Sequence, residues 1–595
     1  MKWAVGLTVS ILLLAITFTI IFGQKRQSKF NKNHINTFVL LIIGVFLSIF
    51  VCFLPFYSDI METRDYSILK IIMLSIHNTF QVFTLDADHS IISEGIDCEN
   101  SFLASIYSGY ISVMFVVAPF LTFSVILSFF KNFISYIRFL LSFNREIYVF
   151  SELNEESLCL GNDIKRNHKK ATIVYTDVFE NNNEESYELC ERAKTINSLC
   201  FKKDIAKINY RLHSQKTQLS FFIIGSDETE NIEQSLNIVE KYKNRKNTRL
   251  YLFSTRRESE FLFQKLDSGE VKVRRINEVK SLIYHNLYTC GRQLFETATE
   301  LTNGVKIISA VIVGLGKHGI EMLKALAWYC QMDGYRLIIH AFDNSSNAKD
   351  RLAAICPDLL SDKYNGKMQQ GEAEYTINIF DSSDFETKSF ADKVSTITNP
   401  NYVFVAIGSD EDNIRAAIDL RMQFERNGYQ PLIQAVVCNA NESKALKGAS
   451  NFRNQPYKID LIGDNETRLS EKVIINSELE KQALELHKKR YDEEDFWKYE
   501  YNYSSSLASV IHLRARIECQ VPGAEKSLSE LSENERIKLE IIEHRRWNAY
   551  MRSEGYILTE GSRNDLGKMH PNLVSYYDLD EGIRRIDSLV GTRSS

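Results

Sequence analysis

Three groups of residues have types and spacing that suit chemistry. The first is Gly314, Gly316 and Gly319, a G-x-G-x-x-G run that follows the apolar stretch Val311-Ile312-Val313 and precedes an apolar segment from Ile320. The first glycine permits a tight turn, the second lets backbone approach a pyrophosphate, and the third allows close helix packing. The free N–H groups at the start of such a helix favour an anion. Asp343 ends the next β-branched run, where a ribose-binding acid belongs. Together these residues imply NAD or another adenine nucleotide; the competing reading is a fold of this kind that has lost its ligand. The second group is His544 and Trp547, one helical turn apart, with Arg545 and Arg546 between them. An indole beside imidazole and guanidinium groups suits stacking on a base and pairing with phosphate, as in an ADP-ribose-type ligand. The same two residues also share an apolar face with Ile537, Ile541 and Met551, which is the pattern of a core. The third group, Thr84, Asp86 and Asp88, ends a semi-apolar stretch. In an oligomer it would place a ring of carboxylates at a pore, which favours cations.

Elements to position the glycines are legible from residue 145 onward. Short β-branched runs alternate with helical stretches there, the pattern of parallel α/β sheets. One pass of strands is expected at 147–150, 172–176, 219–224, 249–253 and 271–275. A second is expected at 308–313, 336–342, 376–380, 402–407, 432–437 and 458–462. Gly225-Ser226-Asp227-Glu228 with Asn231-Ile232 recurs as Gly408-Ser409-Asp410-Glu411 with Asn413-Ile414, so two diverged copies of one doubly wound, Rossmann-like fold are expected, over 145–300 and 305–475. In the first copy the glycine turn is replaced by Ser151-Glu152-Leu153-Asn154-Glu155-Glu156, and only Asp177 survives. That copy is expected to be structural, or to bind something without a pyrophosphate.

Residues 1–140 carry three apolar runs, 3–22, 37–56 and 102–130, long enough to span a bilayer at about 20 residues each. The first could also be read as a signal peptide, but no small-x-small cleavage site follows it. The connector 24–35 holds Lys25, Arg26, Lys29 and Lys32 and no acid, whereas 57–101 is strongly acidic. The positive-inside rule then places 57–101 outside and everything after residue 130 in the cytosol. Residues 66–83 are too short and polar to span, and read as a re-entrant pore helix or as an amphipathic helix on the bilayer surface. A multi-pass protein of the inner, or plasma, membrane is the expectation. A net charge of −5 over 595 residues argues against a nucleic-acid binder. The ten cysteines form no CxxC pair, so neither a disulfide framework nor a structural zinc site is expected.

Span, re-entrant helix, acidic turn and span resemble the pore module of tetrameric potassium channels, with Leu85-Asp86-Ala87 where that family carries a glycine-containing filter. Residues 145–475, with their paired GSDE turns and single glycine loop, resemble the tandem RCK, or TrkA-N, domains that regulate potassium conductance. Residues 491–590 are similar to the ryanodine-receptor (RyR) repeat domain. The likeness lies in Glu543-His544-Arg545-Arg546-Trp547, Gly555-Tyr556 and Lys568-Met569-His570-Pro571-Asn572-Leu573-Val574. It implies a small, mainly α-helical ligand-binding module in which His570 lies near His544, Arg546 and Trp547. The basic motif that ends the family's domain is altered here to Arg584-Arg585-Ile586-Asp587.

The resulting expectation is a helical transmembrane bundle, two α/β domains and a C-terminal module. Together they would form a homo-tetrameric cation channel gated by a nucleotide, in a setting such as antiviral defence. A non-conducting membrane sensor or scaffold is the alternative, and a membrane-tethered NAD-dependent enzyme a third reading. The topology makes a direct prediction. A membrane-impermeant thiol reagent added to intact cells labels Cys98 and spares Cys200; labelling of Cys200 alone would reverse the orientation.

Overall fold

The computed structural model describes residues 2–27, 34–64, 67–87, 102–140 and 142–584, except 143–144, 179–183, 211–214, 265, 368–373, 440–450, 453–454, 457 and 490. The chain divides into two compact units, Met1–Arg138 and Phe139–Ser595.

The first unit is helical, with Lys2–Gln27, His34–Arg64, Ile68–Thr84 and the greater part of Phe102–Leu140. Its core gathers Leu7, Val45, Ile49, Phe53, Tyr107 and Ile111. Small and polar residues let its helices approach. A Cβ on Gly44 would lie 2.4 Å from the Thr17 hydroxyl, and the Ser10 hydroxyl meets those of Ser48 and Tyr110 at 2.5 and 2.9 Å. Among the described residues, one helical segment, Ser105–Phe123, is long and apolar enough to cross a membrane. Ala4–Ile20, Leu40–Pro55 and Ile68–Thr84 are shorter apolar stretches.

The second unit contains two parallel sheets. In the first the strands are β1 (Ile147–Phe150), β2 (Thr172–Tyr175), β3 (Leu199–Cys200), β4 (Leu219–Ile223), β5 (Thr248–Phe253) and β6 (Val271–Ile276). Their order is β3-β2-β1-β4-β5-β6. After a short β7 (Thr299–Glu300), the second sheet has β8 (Lys306–Val313), β9 (Tyr335–Phe342), β10 (Tyr375–Phe380), β11 (Tyr402–Val405) and β12 (Leu432–Val436). It closes, past a small β13–β14 hairpin (Asn451–Phe452 and Gln455–Pro456), with β15 (Ile459–Ile462). Its order, β10-β9-β8-β11-β12-β15, repeats the first. In each sheet the order reverses beside the first strand, which is where open α/β sheets form a crevice at their carboxyl ends. The chain therefore contains two Rossmann-like α/β domains.

The repeated turns do the same structural work twice. Asn231 accepts from Gly225 N and donates to Gly225 O and Phe253 O, joining the ends of β4 and β5. Asn413 accepts from Ile407 N at 2.6 Å and donates to Val436 O at 2.8 Å, joining the ends of β11 and β12. The motif recurs because buried backbone at each strand end needs a partner.

The C-terminal helices Glu500–Glu518 and Glu533–Ser553 do not form a core of their own. Ser532 and Glu535 close a capping box, and Gly555 ends the helix at φ +86°. The faces of these helices merge with the second α/β domain: Trp328, Tyr284, Tyr550 and Leu573 belong to one cluster. The Trp328 ring meets Tyr284 at 5.4 Å and Tyr550 at 6.3 Å. Trp328→Ala is therefore expected to cost the full chain ~3–5 kcal/mol, and to loosen residues 491–584 together with the glycine-loop domain. Urea unfolding read by site-resolved proteolysis checks this. Wild-type protease resistance in the C-terminal part of the variant would contradict a shared core.

Candidate functional site

The glycine loop sits between β8 and the helix Lys317–Tyr329, and each glycine has a distinct steric reason. Gly314 takes φ +92°, and a Cβ there would lie 2.3 Å from Ala406 O, at the end of β11. A Cβ on Gly319 would lie 1.8 Å from Gly314 O, so the helix can seat on the loop only without one. Around Gly316 a Cβ would meet nothing within 4 Å. The first and third glycines thus serve the fold, whereas the second faces open space at the helix N-terminus, where a phosphate would sit.

Asp343 ends β9 as expected and is 9% exposed. Its carboxylate accepts from Leu315 N at 2.6 Å and from Ser345 N at 2.9 Å. The same oxygen that accepts from Ser345 lies 3.7 Å from the half-exposed Arg351 guanidinium. The acid thus fixes the glycine loop from beneath. Ribose hydroxyls reaching it would share it with backbone donors.

The other wall of this crevice comes from the first α/β domain. Lys317 reaches Thr255 Oγ1 at 3.2 Å and the Glu228 carboxylate at 3.7 Å. Burial favours the neutral form of the neighbouring His318, and the cations Arg468 and Lys317 add to that effect. Lys317 keeps its side chain largely in solvent while reaching Thr255 and Glu228, whereas the neighbouring His318 is half-buried. Sequence reasoning missed this second wall, since Thr255 and Glu228 carry no motif that points to residue 317.

The first copy's crevice is filled. Ser151 Oγ accepts from Ile224 N, Asn154 donates to Ile224 O, and the Glu152 carboxylate accepts from Ser226 N. Burial raises the Asp177 carboxyl, and nearby Asp204 raises it further. Burial likewise raises Glu230, with Asp177, Asp204, Asp227 and Glu152 adding to it. Acids gathered around the crevice oppose an anion, in keeping with a structural role for this copy. Among the described residues no His, Cys, Asp and Glu cluster could hold a metal.

In the C-terminal part the rings do come together. The His544 and Trp547 rings stack at 5.7 Å, and His570 meets Trp547 edge-on at 4.9 Å. His544 and His570 are buried, however, at 1% and 7% exposure. His544 bonds Val574 O at 2.9 Å. Burial, aided by Arg563, pushes His570 down to about 4, so it is neutral. Arg546 does not join this set: it is buried against Glu543 at 2.8 Å, sharing that carboxylate with Arg516. The helix face therefore reads mainly as interior, with Trp547 partly exposed and bonded to Tyr501.

Of the pore residues, Thr84 ends the helix Ile68–Thr84, and its hydroxyl donates back to Phe80 O and Gln81 O. Leu85 adopts the left-handed conformation at φ 65°, and Asp86 is exposed. Asp88 and Cys98 lie outside the described residues.

No protein-family model matches the chain, and comparison with curated proteins finds no match. Among solved structures, one of the dipicolinate synthase polypeptides of Bacillus halodurans aligns over 55% of this chain and 94% of its own, at 10% identity and a TM-score of 0.19. A likeness that low carries no argument about this chain.

The glycine geometry separates two substitutions. Gly316→Val is expected to keep the melting temperature of the full chain while abolishing nucleotide binding in isothermal titration, because the added atoms occupy only the ligand's space. Gly319→Ala is expected to lower the melting temperature even without ligand. Equal nucleotide affinity in Gly316→Val and wild type would make the loop vestigial.

Proposed function

We propose that this chain is a membrane-embedded sensor that binds an adenine nucleotide, such as NAD or an ADP-ribose-type ligand, at Gly314–Gly319. In this reading, binding changes a homo-tetrameric, cation-conducting assembly of the N-terminal helices in the inner membrane. The observation that carries it is the open space at Gly316, at the N-terminus of a 13-residue helix, with Asp343 beneath the loop. The resemblance to RCK and RyR domains supplies the coupling logic, and antiviral defence is the setting that resemblance suggests. A ligand shifts such an equilibrium only by its differential affinity for the two states. The Lys317 contact to Thr255 and Glu228 offers one source of that difference, because a phosphate at the loop would compete with Glu228 for the ammonium.

A second reading, a non-conducting membrane-anchored sensor, draws support from the single described helix long enough to cross a bilayer. Ion flux into proteoliposomes distinguishes the two. The channel reading expects nucleotide-dependent cation flux that Gly316→Val removes. It also expects lower cation-over-anion preference when Asp86 and Asp88 are both changed to Asn. Nucleotide binding without flux under any ionic condition would favour the sensor alone.

A further inference from the structure

The carboxyl ends of the first sheet gather acids from successive connections. Glu152 follows β1, Asp177 follows β2, Asp204 follows β3, and Asp227 and Glu230 follow β4. The first four all act on Glu230, so they form one group. It lies at the switch-point crevice in which open α/β sheets take their ligands. Glu152, held by Ser226 N, closes one side. Asp177 and Asp204 are half-buried, whereas Asp227 and Glu230 are exposed, so solvent reaches the group. Among the described residues none of the five acids lies in an ion pair. Lys207 acts on Asp177 and Arg256 on Asp227, while Lys241 donates to the Ala206 and Ile208 carbonyls at 2.7 Å. Five acids against these three cations leave an excess of negative charge.

Gln234, on the helix Glu228–Tyr242, supplies an independent sign. It is 6% exposed, and its Nε2 donates to Asp204 at 2.9 Å and to Glu230 at 3.0 Å. Two carboxylates on that side fix the orientation of the amide, because the reverse would set oxygen against oxygen. Its Oε1 is thereby held as an acceptor, and among the described residues it has no donor. Buried acceptors without donors are uncommon in folded proteins. An ammonium group carries donors only, together with the missing positive charge. A bare metal ion suits the group less well, since among the described residues no three acids are placed to hold one.

We propose that the crevice of the first α/β domain takes a small organic polycation of the polyamine class, with Asp177, Asp204, Glu230 and Gln234 Oε1 accepting from its ammonium groups. A linear polyamine carries its charges several bonds apart, which matches acids spread over separate connections better than a point charge does. The acids that oppose a phosphate in this copy are then its means of recognition. The inference does not depend on nucleotide binding at Gly314–Gly319.

The test uses the full chain in detergent and spermidine as the probe. Saturable binding by titration calorimetry, with a rise in melting temperature beyond that given by sodium chloride at equal ionic strength, is the expected result. Asp177→Asn and Glu230→Gln each keep the shape of the side chain and remove one charge. Each is expected to weaken spermidine binding about tenfold, the scale of one hydrogen bond to a charged group. Each also relieves repulsion among the acids, so neither is expected to lower the melting temperature of the free protein. Glu411→Gln, at the matching exposed turn of the second copy, is expected to leave binding unchanged. No binding beyond the salt control, wild-type affinity in both crevice variants, or an equal loss in Glu411→Gln would each overturn the proposal. Saturable magnesium binding that the two crevice variants abolish would also overturn it, by assigning the crevice to a metal ion.

Discussion

The close seating of the helix Lys317–Tyr329 on the glycine loop is the contact on which the rest of the second unit depends. With the Gly319 Cβ position 1.8 Å from Gly314 O, the distance between helix and strand has no slack. Everything along that helix is then placed. Its first turn aims free N–H groups at the crevice. Lys324, further along, is buried against Glu321 and Glu554. Trp328, near its end, fills the core shared with Tyr284 and Tyr550. A ligand at the loop would act on the same rigid element that carries the C-terminal part.

Electrostatics join the pieces along two routes. Arg468, in the turn after β15, pairs with Glu156 of the first domain and with Glu278 at 2.7 Å. Glu554, just past the C-terminal helix, takes Lys324 at 3.0 Å and Lys280 at 3.2 Å. Burial alone would raise the Glu554 carboxyl, but the two ammoniums outweigh it and hold it well below the usual carboxylate range. Buried pairs of this kind return little net stability, because desolvation offsets attraction, yet losing one partner costs about 3–5 kcal/mol. They link three parts of the unit that lie far apart in the chain.

Much of this was legible in the sequence, for a physical reason. The central parallel strands, such as β1, β4 and β11, are short and buried throughout, hence nearly continuous in apolar residues, and the strands fall within a residue or two of their expected positions. The two-residue β3 at Leu199–Cys200 is too short to leave such a signal. The glycine loop was legible because backbone geometry demands glycine at fixed spacing. The GSDE repeat was legible as a duplication, although its work, tying strand ends through Asn231 and Asn413, emerges only from the hydrogen bonds. Long-range partners left no trace: Lys324 and Glu554, or Arg468 and Glu156, are far apart in the chain and ordinary as residue types. Polar letters also misled. The spacing of His544 and Arg546 on a helix suggested an open site, yet both are internal, because Val574 O and Glu543 satisfy them inside the fold.

Hydrogen–deuterium exchange of the full chain, with and without an adenine nucleotide, tests the central claim most directly: that ligand at the glycine loop is felt through the helix Lys317–Tyr329 by the C-terminal part. The account predicts increased protection across 314–329 and, in the same titration, across 543–556. Protection confined to residues outside both segments, or protection at the loop with unchanged exchange in 543–556, would contradict it.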